Sequence, residues 1–160
     1  MTISRGTLGG DRPGTRAALP PGGQRRRLRL AGLPGPVARA RAFTAEALGD
    51  WSWDASAPGV DPEVADDVAL LVAELVANAM LHGGGPLELV LEVSESRLRI
   101  EVSDPSPTLP VPRHPHDPGL PGGHGLFIVR GTADRWGAEP HALGKTIWAE
   151  VDAARLVPGR

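Results

Sequence analysis

The chain has no cysteine and no tyrosine, and among its 160 residues only two phenylalanines and a single lysine. Without cysteine there can be no disulfide and no thiolate metal site, and a reducing compartment suits the chain. The opening residues, Met1 to Gly10, lack the apolar core of a secretion leader. No stretch approaches the ~20 apolar residues that a membrane span needs. The expected setting is cytoplasmic, with no membrane partner. The length suits one domain of ordinary size, able to bury a real core.

The net charge of −2 is unevenly spread: residues 1–36 hold seven Arg and one Asp, for +6, and the remainder carries −8. The run Arg25-Arg26-Arg27-Leu28-Arg29 has the charge to touch nucleic acid or anionic lipid. It reads more simply as a solvated lead into an edge strand, and the acidic body argues against nucleic acid as a direct partner.

Residues 1–24 are rich in Gly, Pro and Arg, lack periodicity and are expected to form a disordered tail. The folded domain is expected over 25–153, with 154–160 as a second tail. Arg25–Leu30 fits a short strand. A first helix is predicted over Pro36–Leu48, with Pro36 at its first position, Gly49 as its stop and Val37, Ala40, Phe43, Thr44 and Ala47 facing inward. Trp51 and Trp53 follow in a loop, where packing over a core edge is the ordinary role and a partner surface the alternative.

A second helix starts at the Asp61 cap with Pro62 and Glu63, and ends at Gly83-Gly84-Gly85. Between them Val64–Leu81 is apolar on nearly every side, which predicts covering layers on both flanks. A hairpin comes next. Leu87, Leu89, Leu91 and Val93 alternate with Glu88, Val90 and Glu92; after a Ser-Glu-Ser turn, Leu98, Ile100 and Val102 alternate with Arg97, Arg99 and Glu101. The Glu-rich and Arg-rich outer faces are expected to pair across the ladder. By parity Asp104 continues the inward register of 98, 100 and 102. Pro105–Pro121 holds seven prolines in seventeen residues, so it forms neither sheet nor helix and reads as a lid or binding loop. Gly122-Gly123-His124-Gly125 then opens a short helix, Leu126–Arg130. Strands near Arg135–Glu139 and Lys145–Val151 complete an α/β two-layer sandwich with a mixed, mostly antiparallel sheet covered by helices.

Three places carry chemistry. Glu74 and Asn78, at i and i+4, share one face of the apolar helix. An Arg partner and a backbone bond would satisfy them as well as a metal or nucleotide site would. Asp104 is a second inward carboxylate, able to accept from an exocyclic amine. The Gly-rich turn at a helix start suits phosphate. An Asn oxygen suits Mg²⁺, and Glu one turn away can take a proton from an attacking hydroxyl. Two signals are set aside. Gly144-Lys145-Thr146 lacks the upstream Gly of a P-loop and runs into a strand. His114 and His116 sit in the proline loop without further spaced ligands.

Glu74-x-x-x-Asn78-Ala79-x-x-His82-Gly83, a strand ending in Asp104, a variable lid, and Gly123-x-Gly125-Leu126 before a helix together resemble the GHKL ATP-binding superfamily, whose architecture is the Bergerat fold. That superfamily includes DNA gyrase, sensor histidine kinases and bacterial anti-sigma-factor serine kinases. The resemblance spans about Leu28 to Val151. Single-domain length and the ending Gly144-Lys145-Thr146-Ile147-Trp148 are similar to the small anti-sigma kinases of the RsbW and SpoIIAB type. It implies ATP and Mg²⁺ as cofactors, Asn78 as the metal ligand and Glu74 as general base. It also implies Asp104 at adenine, Gly123, Gly125 and Leu126 at the phosphates, and Thr146 in support of the adenine end. The implied partners are a sigma factor and an anti-anti-sigma antagonist that the kinase phosphorylates, with a homodimer as a common family arrangement. The chain departs from the family where Asp-x-Gly-x-Gly is usual: it reads Asp104-Pro105-Ser106-Pro107. The alternative function is a non-catalytic, nucleotide-dependent module that sequesters a sigma factor or other regulator.

Overall fold

The computed structural model describes residues 22–109 and 131–158. The expected loop 105–121, the Gly-rich turn and the helix after it fall mostly outside these residues. Five strands, β1 (Gln24–Arg29), β2 (Glu88–Val93), β3 (Arg97–Asp104), β4 (Arg135–His141) and β5 (Gly144–Asp152), form one sheet in the order β1-β2-β3-β5-β4. Every described pairing is antiparallel. Helices α1 (Pro36–Asp50) and α2 (Pro62–His82) pack together, and α2 lies on β3 and β5, giving the α/β two-layer sandwich. Among the described residues no helix is long and apolar enough to cross a membrane.

Strand alternation sets the core. Leu98, Ile100, Val102 and Asp104 of β3 and Ile147, Ala149 and Val151 of β5 are all buried beneath the helices. The matching face of α2 contributes Val64, Val68, Leu71, Val72, Leu75, Val76 and Ala79. Asp61 caps this helix through Oδ1, which accepts from the backbone N–H of Glu63 and Val64. Trp51 and Trp53 are core residues, 3% and 0% exposed, and Trp51 Nε1 donates to Gln24 Oε1 at 2.7 Å. The loop tryptophans therefore close the core edge and offer no partner surface.

Several expectations change. Gly49 does not stop α1. The helix runs on to Asp50, and the Trp51 N–H bonds back to Ala47 O, because burying Trp51 carries the helical path further. Helix α2 is not covered on both flanks: Leu70, Met80 and Leu81 are exposed. The Glu92–Arg99 pair, though in register, is not the ion pair formed. Glu92 goes to Arg25 of the edge strand, while Arg99 binds Glu101 and Glu150. Arg25, Arg26 and Arg27 thus spend their charge on Glu92, Glu101, Asp50 and Glu88, as a basic edge strand would. Past residue 153 the chain forms α3 (Ala153–Leu156), burying Leu156 and Val157, so packed structure extends into the expected tail.

Candidate functional site

The C-terminal half of α2 brings the first polar groups to the sheet. Asn78 is buried at 6% exposure, and Glu74, one turn earlier, is half-buried. Among the described residues no ion pair includes Glu74. Five residues beyond Asn78, Gly83 ends the helix, its N–H bonded to Ala79 O. Here the helix meets β3. A Cβ on Gly83 would stand 2.4 Å from Asp104 Cγ, so only glycine lets the carboxylate lie against the helix end. At ~1.5 Å rise per residue, Asn78 and Glu74 lie ~7 and ~14 Å back along the axis.

Asp104 is fully buried, as parity predicts. Its Oδ1 accepts from the Lys145 ammonium at 2.9 Å and from the Ser106 N–H at 3.0 Å. The same ammonium donates to Ser106 O at 3.1 Å. Across the ladder Asp104 faces Lys145 directly, and Gly144, at φ 139°, lets the two strands close: a Cβ there would fall 2.1 Å from Asp104 O. Asp104 Oδ2, equally buried, has no hydrogen-bond partner among the described residues. A buried acceptor left unmade costs about 1–3 kcal/mol, more when charged, so this oxygen is a standing invitation to a donor.

Thr146 does not join the group. Alternation sends it to the outer face with Trp148 and Glu150, where its Oγ1 lies 3.0 Å from His141 Nε2. The residue of Gly144-Lys145-Thr146 that reaches Asp104 is Lys145, and it does so from a strand and not from a P-loop. The usable signal was parity, since 145 shares the inward register of 147, 149 and 151. Gly123, Gly125 and Leu126 lie outside the described residues.

The donor set fits a magnesium nucleotide. Among the described residues no three His, Asp or Glu side chains gather as a metal cage. Mg²⁺ needs no such cage, since it commonly takes one or two protein oxygens and fills the rest with waters and phosphates. A buried Asn oxygen and an unpaired, buried Asp oxygen at opposite ends of half a helix suit the two ends of such a ligand.

On the opposite sheet face a second buried carboxylate, Glu150, serves structure. Arg97 and Arg99 meet its Oε2 at 2.9 and 3.2 Å, and Arg135 meets Oε1 at 2.9 Å. Burial pushes its pKa up, but hydrogen bonds from Arg135 and Arg99 and the charges of Arg97 and Arg99 outweigh that, holding it below the ordinary 4.5. Arg99, which stacks 4.3 Å over Trp148, is correspondingly raised: its burial lowers the value, and bonds to Glu101 and Glu150 raise it further.

A family model for the histidine kinase-like ATPase domain matches residues 31–151. No match to this chain is found among curated proteins.

Proposed function

The chain belongs to the histidine kinase-like ATPase family, and from that premise we propose that it is an ATP-dependent protein serine/threonine kinase. Its proposed substrate is a small regulatory antagonist of the anti-anti-sigma kind, with a sigma factor as the second partner. The observation that carries the nucleotide reading is Asp104 Oδ2, a buried acceptor with no partner among the described residues, at the foot of the helix bearing Glu74 and Asn78.

In this reading Asp104 Oδ2 accepts from the exocyclic amine of adenine, and the Asn78 carboxamide oxygen is the one protein ligand for Mg²⁺. Glu74, in no ion pair among the described residues, takes the proton of the attacking serine hydroxyl. Gly123, Gly125 and Leu126 would cradle phosphate. Bound Mg²⁺–ATP supplies the phosphoryl group to be moved; the chain's own task is to position groups and stabilise charge. The half-exposure of Glu74 suits a base that must meet an incoming protein hydroxyl.

The test is transfer of radiolabelled phosphate from ATP to an anti-anti-sigma-type protein, with ATP binding measured in parallel. Wild type is expected to label a serine or threonine. Glu74→Gln is expected to bind ATP normally and transfer roughly 10²–10⁴-fold more slowly, the usual worth of a positioned base. If both proteins bind ATP and neither transfers, the kinase assignment fails and the nucleotide-dependent sequestering module takes its place.

A further inference from the structure

The charge of the chain is divided along its sequence, and the fold sets the entry of the basic part near the acidic part. Residues 51–81 hold Asp54, Asp61, Glu63, Asp66, Asp67 and Glu74 and no Arg or Lys, for −6. Residues 1–21 hold Arg5, Arg12 and Arg16 against Asp11, for +2. Independently of the nucleotide reading, we propose that the start of α2 is a docking surface for the arginines of residues 1–21 of the same chain.

Beside the first turn of α2 lies a groove of about 540 Å³, lined by Gly59, Val60, Asp61, Pro62, Glu63 and Pro158. Glu63 and Asp66 are exposed, and Asp61 and Asp67 are half-buried. Two of these carboxylates have local reasons to be there. Asp61 caps the helix, and Glu63 complements the positive end of its dipole. Asp66 and Asp67 lie past the first turn, where neither reason holds. They stand three and four residues from Glu63, the spacing at which like charges on a helix repel. Among the described residues no ion pair includes any of the four. The surface keeps an uncompensated negative charge, which favours a cationic segment.

The place where residues 1–21 join the fold is at the same end of the molecule. Gln24 pairs with Val93, so β1 starts beside the end of β2. A Cβ on Gly23 would fall 2.1 Å from Val93 O, so the chain enters close against that strand end. The turn that follows β2 is tied to α3, since the Ala153 N–H donates to Ser96 O at 2.9 Å. Helix α3 in turn holds the α2 start, where the Asp61 N–H donates to Leu156 O at 2.9 Å. Strands lie ~4.8 Å apart, so the path from β1 across β2 and β3 to β5 is about 15 Å. A chain of 21 residues spans up to ~70 Å when extended, so reach is no obstacle.

The other basic residues are committed or too few. Arg25, Arg26 and Arg27 have carboxylates of their own. Arg160, two residues past Pro158 in sequence, is one charge and cannot balance four. Three arginines, each able to bind a carboxylate with two N–H groups, match the surface.

Because the chain has no cysteine, Thr7→Cys gives a single site for a nitroxide label in the full chain. Paramagnetic broadening of backbone amides is then read by NMR, with and without the added pair Asp66→Lys and Asp67→Lys. Broadening is expected to be strongest at residues 59–67. It is expected to fall about twofold or more in the lysine variant and in about 1 M salt, where the screening length is ~3 Å. Broadening centred elsewhere, or unchanged by charge reversal and by salt, overturns the proposal. Equal broadening when the nitroxide and the isotope label sit on different copies overturns it too, since the occupant is then a second copy. Should the lysine variant not fold, the salt series decides.

Discussion

Two carboxylates are buried against opposite faces of the same sheet, and they are treated very differently. Glu150 is surrounded by three arginines that use both of its oxygens. Asp104 has one lysine and one backbone N–H, both on the same oxygen. Burial alone does not separate them, at 3% and 0% exposure. Satisfaction does. A carboxylate with both oxygens engaged ties strands together; one whose second oxygen has no partner among the described residues can still accept from a further donor.

The contrast can be broken from either side. Lys145→Met leaves Asp104 without its counter-charge and is expected to destabilise the fold by about 3–5 kcal/mol, read by urea unfolding. Glu150→Gln keeps the shape and removes the charge that three arginines share. A loss of about 1–3 kcal/mol at neutral pH is expected, since bonds to charged groups weaken while the arginines remain partly solvated. Because the Glu150 pKa is held below 4.5, its contribution is fully present above that value and disappears as the pH falls through the lower folded-state value. Thermal unfolding between pH 7 and pH 3 is therefore expected to fall more steeply for wild type than for Glu150→Gln. Parallel slopes would remove Glu150 as an anchor.

Gly83→Ala sharpens the comparison. The new methyl would meet Asp104 Cγ at 2.4 Å, which costs about 1–3 kcal/mol of overpacking and moves the carboxylate. ADP titration is expected to show a larger loss for this variant than its stability loss alone would produce. The smallest effect belongs to the edge. Arg27 and Glu88 are 3.9 Å apart and well exposed, so Arg27→Ala is expected to change stability by about 0–1 kcal/mol in the same unfolding assay.

Much of this was legible in the sequence, for physical reasons. The Asp61-Pro62-Glu63 start is a local capping device, and the inward placement of Asp104 follows from strand parity alone. The five strands and two long helices were readable from periodicity. What escaped was decided by competition between distant groups. Glu92 lies opposite Arg99, yet Arg25 from one neighbour and Glu150 from the other divide that pair. Gly49 looks like a terminator until the pull of Trp51 on the core is counted. Thr146 and Lys145 are adjacent in a motif, but a one-residue difference in a strand exchanges one face for the other. Parity alone would have chosen Lys145; a motif resemblance chose its neighbour.

The most direct measurement is isothermal titration of the full chain with ADP and Mg²⁺, comparing wild type, Asn78→Ala and Asp104→Ala. Saturable binding by wild type is expected, weakened by tenfold or more in each variant, since each removes a bond worth about 1.5–3 kcal/mol when charge is involved. Equal affinity in all three proteins, or no binding by wild type, would contradict the view that a half-satisfied carboxylate marks the nucleotide site.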